Sequence, residues 1–399
     1  MRATFGLVVN AGNVISSLCH TVLRLEPYTP CAFKCVYCYS KWYGVIFDGE
    51  PQPLMETFNL FRSFARKVRR MGLKPIPFRL STLVDPFPLQ EQHHKIVEKI
   101  LAEALSHEYP LIINTESVLY AQEPTLRKLI ENLVDKGLAI LQVSISTLKA
   151  EDAKKIEPHA PPPTERLRAA SSLGGDSIVL RLSPFIPCLS PTYPSEIEEF
   201  AATLREYGVK HVIVESLRME KNRIEWFLSS LGIKADIEAY SVKDDAVARI
   251  STSTRENVYS ILSKTLNKHG IGFATCKEGL FAYHTTPDCC GAYLLKDYAI
   301  RPTLYDIYKH ITEKGPTQPE DILKGLESNP TRVCGEKLKQ YPRQVSKPLK
   351  YHEKRILKTI QNKDLLNHIA PHLAYEKFGG SVEVRGVGFE PTNPYGTRS

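Results

Sequence analysis

Cys31-Ala-Phe-Lys-Cys35-Val-Tyr-Cys38 places three thiols within eight residues, in the spacing C-x3-C-x2-C. Thiolates are ligands for zinc and for iron–sulfur clusters. A structural zinc takes four ligands, and a C-x2-C pair ordinarily has a matching pair elsewhere in the chain. Three cysteines on one tight loop suit a cubane [4Fe-4S] cluster better. They hold three irons and leave the fourth open, which a catalytic metal requires. A zinc knuckle or a redox pair is the plainer alternative. A second, looser group lies far along the chain: Cys276, Cys289 and Cys290, with His284 between them. A second Fe-S cluster, zinc and plain structural thiols are equally open for this group. Cys19, Cys188 and Cys334 stand alone and read as small buried hydrophobes.

These residues need a scaffold. The chain has 399 residues, which suggests two domains or one large one with an appendage. Its first 230 residues read as alternating strands and helices. Strands are expected around 22–25, 78–80, 111–113, 139–143, 178–182 and 211–214, and helices around 55–71, 90–106, 124–136, 164–173, 194–206 and 222–231. The helix at 55–71 sets Phe58, Phe61, Phe64, Ala65 and Val68 on one face and arginines on the other. Regular alternation predicts a parallel sheet with helices outside it, and right-handed crossovers curl such a sheet into a partial (β/α)6, TIM-like barrel. Functional groups then belong at the carboxyl ends of the strands. After residue 232 the rhythm breaks into a mainly helical extension, with helices expected at 254–268, 301–313 and 319–327. The chain divides on this reading into a core at 1–232, an accessory region with the second cysteine group at 233–330, a basic arm at 331–378 and a disordered tail at 379–399.

Further motifs surround the first cysteine group. Pro27-Tyr28-Thr29-Pro30-Cys31 and Cys35-Val-Tyr-Cys38-Tyr39 resemble the N-P-Y-x-G-C…C-x-Y-C-Y pattern of the radical S-adenosylmethionine (SAM) superfamily, in its spore photoproduct lyase-like branch. Thr82-Leu-Val-Asp85-Pro86-Phe87…Glu91 resembles that branch's T-D-P-Y-Q-P…E segment, Glu157-Pro158-His159-Ala160-Pro161 with Arg166 its E-P-x-A-P…R element, and Arg181-Leu-Ser-Pro184-Phe-Ile-Pro187 its R-x-x-P-x-I-P strand. The resemblance covers about residues 22–230. It implies a barrel of the radical SAM type, a [4Fe-4S] cluster on Cys31, Cys35 and Cys38, and SAM on its open iron. It also implies an electron donor such as ferredoxin or flavodoxin. Residues expected around SAM are Tyr37, Ser81, Thr82, Asp85, Thr115, Ser117, Ser144, Ser146 and Arg181. A carboxylate such as Asp85 or Glu91 can accept from the SAM amino group or ribose, or merely cap a helix. Ser144 and Ser146 alternate about Ile145 and so point to one face. Arg181, inside a barrel strand, needs an anion: the SAM carboxylate, or a permanent bridge to Glu157 or Asp85. Glu157 and Arg166 read as a structural pair.

Three positions depart from the pattern. Thr115-Glu116-Ser117 stands where relatives often carry T-K-S, so the lysine's charge is reversed. Pro30 replaces the glycine before the first cysteine, and Cys188 stands where relatives tend to have glycine. Members of this branch return a hydrogen atom from a cysteine, and Cys188, at the mouth of the fifth strand, is a candidate donor, with a packed thiol as the plainer reading.

Charge is local. The chain carries 52 Lys+Arg against 44 Asp+Glu, a net of +8. Residues 60–80 hold seven bases and no acid, and residues 331–360 hold nine bases against Glu336 and Glu353. Such clusters, with Tyr341 and Tyr351 interleaved, suit a nucleic-acid backbone and stacked bases, although a charge run is also an ordinary solvated face. No apolar run of about 18 residues exists, so no membrane is expected. The first residues lack a signal-peptide pattern, and the expected compartment is the cytoplasm, where thiols stay reduced. Near the end, Gly388-Phe389-Glu390-Pro391 can be encoded by the T-arm of a transfer-RNA gene, which suggests a frame that runs into one. The expected activity is reductive cleavage of SAM directed at a nucleic acid, as repair or base modification. The alternatives are a radical SAM enzyme acting on a protein or small molecule, and a non-catalytic, metal-stabilised nucleic-acid-binding protein.

Overall fold

The structure is a computed structural model; it describes residues 14–40, 49–174, 176–239 and 247–379. Seven parallel strands form its main sheet in chain order: β1 (Arg24–Leu25), β2 (Phe78–Leu80), β3 (Leu111–Thr115), β4 (Ala139–Ser144), β5 (Ile178–Phe185), β6 (His211–Ser216) and β7 (Gly272–Thr275). A helix crosses between each successive pair: α1 (Met55–Arg70), α2 (Ile96–Ser106), α3 (Pro124–Asp135), α4 (Pro163–Ser171), α5 (Pro194–Glu206) and α6 (Thr252–Lys268). Strands that follow one another in space as in sequence, all parallel, make an open barrel with helices on its outer face. The expected six units are present. Gly272–Thr275, beyond the expected core boundary, adds a seventh strand beside β6.

The two faces of the sheet have different chemistry because side chains alternate. Outward residues such as Phe78, Leu80, Leu111, Ile113, Leu141, Leu180 and Val212 join the apolar faces of the helices in the main core. Phe61 and Phe64 of α1 meet Phe78 edge-to-face, with ring centres 5.7 and 5.5 Å apart. The helix starts have a local cause: Pro124, Pro163 and Pro194 each open a helix, where a missing N–H is not needed.

The inward face is apolar toward one end. There Ile112, Ile140, Val179, Ile213 and Ala274 are covered by Cys276, Cys289, Cys290, Ala292, Leu295 and Ile300. The covering turn is rigid: Asp288 accepts from the backbone N–H of Cys290 and Ala292, each at 2.9 Å, and of Tyr293 at 3.0 Å. Gly291 has φ +74°, and a Cβ there would sit 2.9 Å from Val179 Cγ2, so only glycine fits.

The expected arm at 331–378 is largely helical. It includes α8 (Arg343–Gln361), whose buried Ile356 and Ile360 pack with Leu304, Ile307 and Ile311 of α7 (Leu304–Lys314). Arg332 binds Asp306 of α7 at 2.7 Å, and both are buried. Nearly all of the expected tail lies outside the described residues.

Candidate active site

At the carboxyl ends of β2 to β6 a cleft opens, lined by polar side chains of all five strand ends and by the cysteine loop. Cys31, Cys35 and Cys38 line it from one side, each half-buried and none in a disulfide. Their loop is pinned by its neighbours. Val36 N–H donates to Ile156 O at 2.9 Å, and Tyr39 Oη donates to Thr82 O at 2.8 Å. Tyr37 Oη donates to Glu157 Oε1 at 2.7 Å, and Ser146 Oγ reaches the same oxygen at 2.7 Å. Glu157 is held in turn by Arg166 at 2.7 Å, both side chains about 1% exposed. The expected Glu157–Arg166 pair is therefore the anchor of the cysteine loop.

The three thiols face different partners. Cys35 Sγ lies 3.3 Å from Glu116 Oε2, Cys38 Sγ lies 3.0 Å from Ser40 Oγ, and Cys31 feels the Asp85 carboxylate. Among the described residues no three ligating side chains converge on a point for one ion. Three thiols that line one cleft can each serve one metal atom of a multi-metal group. Burial, then Asp85, pushes the Cys31 thiol up to about 12, and burial with Glu116 also raises Cys35. Metal binding to thiols displaces their protons. Glu116 is itself raised to about 8, first by burial and then by Glu157.

The residues expected around SAM are only partly in the cleft. Tyr37, Ser81, Thr82, Asp85, Thr115, Ser144 and Arg181 line it; Ser117 and Ser146 are not among the residues that do. Ser117 Oγ donates to Phe87 O at 3.0 Å. Ser81 and Thr82 are committed to Glu26, a buried carboxylate that also takes the N–H of Thr82 at 2.9 Å and of Leu83 at 3.1 Å. Asp85 accepts from Phe87 N, Glu116 N and Thr115 Oγ1, and burial lifts it to about 6. Sequence reasoning missed Glu26; the signal was an acid at the end of an apolar strand.

Arg181 has a resident partner, but neither Glu157 nor Asp85. Its Nη2 binds Glu215 Oε2 at 3.1 Å, and Nη1 donates to Gln142 Oε1 at 3.3 Å. Glu215 comes from the neighbouring strand and also pairs with Arg218 and Lys277.

Two expected groupings do not form. Cys188 is absent from the cleft lining. It packs against the apolar cluster that contains Ile186, Leu189 and Leu217, and its Sγ lies 3.8 Å from Tyr193 Oη. Its φ of +66° lies in the left-handed region, which is why glycine suits this position. His284 does not join the second cysteine group: its Nε2 faces Thr275 N at 3.0 Å and Thr275 Oγ1 at 2.8 Å. Cys289 instead meets His20 Nδ1 at 3.5 Å, and Cys290 meets Thr21 Oγ1 at 3.1 Å.

No family model matches the chain. A curated relative, the uncharacterized protein ORF301 of Acidianus two-tailed virus, is 32% identical over 164 residues; the match spans 40% of this chain and about half (52%) of that relative's length. Among solved structures, a spore photoproduct lyase mutant is similar over 69% of this chain and 79% of its own, at 12% identity and a TM-score of 0.49. SuiB of Streptococcus suis is similar over 65% and 51%, at 13% identity and 0.41. Elp3 of Methanocaldococcus infernus is similar over 65% and 59%, at 13% identity and 0.36. At these values the likeness concerns the arrangement of strands and helices and assigns no activity.

Proposed function

We propose that the chain is a radical SAM enzyme, with a [4Fe-4S] cluster on Cys31, Cys35 and Cys38, SAM in the adjoining cleft, and a nucleic acid as substrate. The observation that carries the reading is the set of three thiols, none in a disulfide, on an anchored loop that lines a cleft at the strands' carboxyl ends. When bound, the reduced cluster supplies the electron that splits SAM to a 5′-deoxyadenosyl radical. The chain's own groups bind and orient. Tyr37, fixed on Glu157, sets the loop; Ser144 and the backbone beyond β2 and β3 offer polar contacts; Arg181 is held in place by Glu215. An acidic electron-transfer protein and a reducing cytoplasm suit this chemistry, and no described helix is long and apolar enough to cross a membrane.

The nucleic-acid part rests on α8. Its exposed face carries Arg343, Lys347, Lys350, Lys354 and Lys358 at intervals of three or four residues, with Tyr351 55% exposed among them. None of these five cations has an ion pair among the described residues. Three of the five cations of α1 are paired: Arg62 and Arg66 share Glu103 at 3.4 and 3.0 Å, and Arg69 faces Glu108 at 3.9 Å. The unneutralised stripe suits a phosphate backbone better. The test is an anaerobic assay with dithionite and SAM, with and without UV-irradiated DNA. The expected result is 5′-deoxyadenosine, altered in yield by the DNA; no 5′-deoxyadenosine in either arm overturns the reading.

A further inference from the structure

Seven arginines are buried among the described residues: Arg79, Arg166, Arg181, Arg249, Arg255, Arg301 and Arg332. Five are held by carboxylates: Arg166 by Glu157, Arg181 by Glu215, Arg249 by Glu238, Arg255 by Glu238 and Glu278, and Arg332 by Asp306. Arg301 donates to the carbonyls of Cys19 and Ser16. Arg79 stands apart. It is 7% exposed, its Nε has no hydrogen-bond partner, and its guanidinium meets no carboxylate among the described residues.

Its place explains where the charge points. Arg79 is the middle residue of β2, between Phe78 and Leu80, which face the helices. Alternation turns Arg79 inward, in register with Ile112 of β3, and it lines the cleft. The covering turn offers it the Cys290 thiol, while the turn's Asp288 is spent on the backbone N–H groups of Cys290, Ala292 and Tyr293. A buried cation with neither a carboxylate nor a carbonyl to hold it is costly, and the other buried arginines each have one or the other. A guanidinium presents a planar fork that matches the paired oxygens of a carboxylate or phosphoryl group.

We propose that Arg79 forms the floor of an anion subsite, which takes a phosphoryl or carboxylate group of the substrate entering the cleft. This rests on the reading of the cleft as the substrate site, but its test needs neither cluster nor SAM. The full-length protein is melted in inorganic phosphate, in acetate and in chloride at constant ionic strength. Wild type gains a saturable rise in Tm from phosphate, from acetate or from both, over chloride. Phosphate alone marks a phosphoryl-bearing substrate, and acetate alone a carboxylate. Arg79→Gln weakens that binding by at least about tenfold, the worth of hydrogen bonds to a charged group. Arg79→Lys, with the charge but not the fork, falls between. Cys290→Ser binds within about twofold of wild type, since its thiol is not the anion's partner. Without anion, Arg79→Gln melts at or above the wild-type temperature, because an unpaired buried charge is gone. The proposal is overturned if neither anion raises Tm, if Arg79→Gln responds like wild type, or if Arg79→Gln alone melts lower, which would make Arg79 a structural residue. Absence of 5′-deoxyadenosine in the SAM assay would instead count against the proposed function and leave this result standing.

Discussion

The two cysteine groups have similar composition and opposite surroundings. Cys31, Cys35 and Cys38 sit half-buried on a loop whose thiols open into a cleft. Cys276, Cys289 and Cys290 are 2–3% exposed and fill the inner face of the sheet among isoleucines and valine. In the second group the thiols meet each other and the chain: Cys289 and Cys290 Sγ are 3.7 Å apart, and Gln142 Nε2 donates to Cys290 O at 2.6 Å. Buried, enclosed thiols behave as small hydrophobes, whereas thiols around open space are free to take a metal group. Position in the barrel, rather than cysteine number, separates the two.

The largest expected contrast is in SAM cleavage. Removal of even an outer-shell partner of a metal ligand costs about 10–100-fold, so Cys35→Ala should lose more than about a hundredfold of 5′-deoxyadenosine formation. Cys289→Ala should stay near wild type. Equal losses in the two variants would erase the distinction. Next in size is the anchor of the cleft group. Glu157→Gln leaves Arg166 buried without its counter-charge, a loss of about 3–5 kcal/mol in denaturant unfolding. A loss under about 1 kcal/mol would show the loop to be held otherwise.

The enclosed group has its own signature, in pH. His211 accepts or donates between Tyr293 Oη and Cys289 O, each at 3.3 Å, and burial lowers its pKa from 6.5 to about 4. The neutral form is the one that fits. Its contribution is complete above pH 6.5 and is lost as pH falls toward about 4, because the unfolded chain binds the proton first. The loss is on the order of 3 kcal/mol, and His211→Asn should flatten it. An unchanged pH slope in that variant would contradict the assignment. The smallest effect is packing: Cys290→Ala should cost about 1–2 kcal/mol with no change in bound iron.

The strands and helices of the first 230 residues are legible in sequence because apolar spacing and Pro and Gly positions act locally. The cysteine loop is legible because its ligands are contiguous. What the sequence hides is set by strand neighbours. Arg181 finds Glu215 across a register that no local pattern states. Arg79 looks like one more base in the run at 60–80, and only the alternation of β2 turns it inward. His20 replaces His284 beside Cys289 because residues 269 positions apart meet at the sheet's inner face.

The most direct measurement is the iron and sulfide content, with the electron paramagnetic resonance spectrum after reduction, of two anaerobically reconstituted triple variants. With Cys276, Cys289 and Cys290 changed to alanine, the protein should keep about four irons and four sulfides and the reduced-cluster signal. With Cys31, Cys35 and Cys38 changed to alanine, it should keep none. A cluster that survives loss of the cleft cysteines, or disappears with the enclosed ones, would contradict the account.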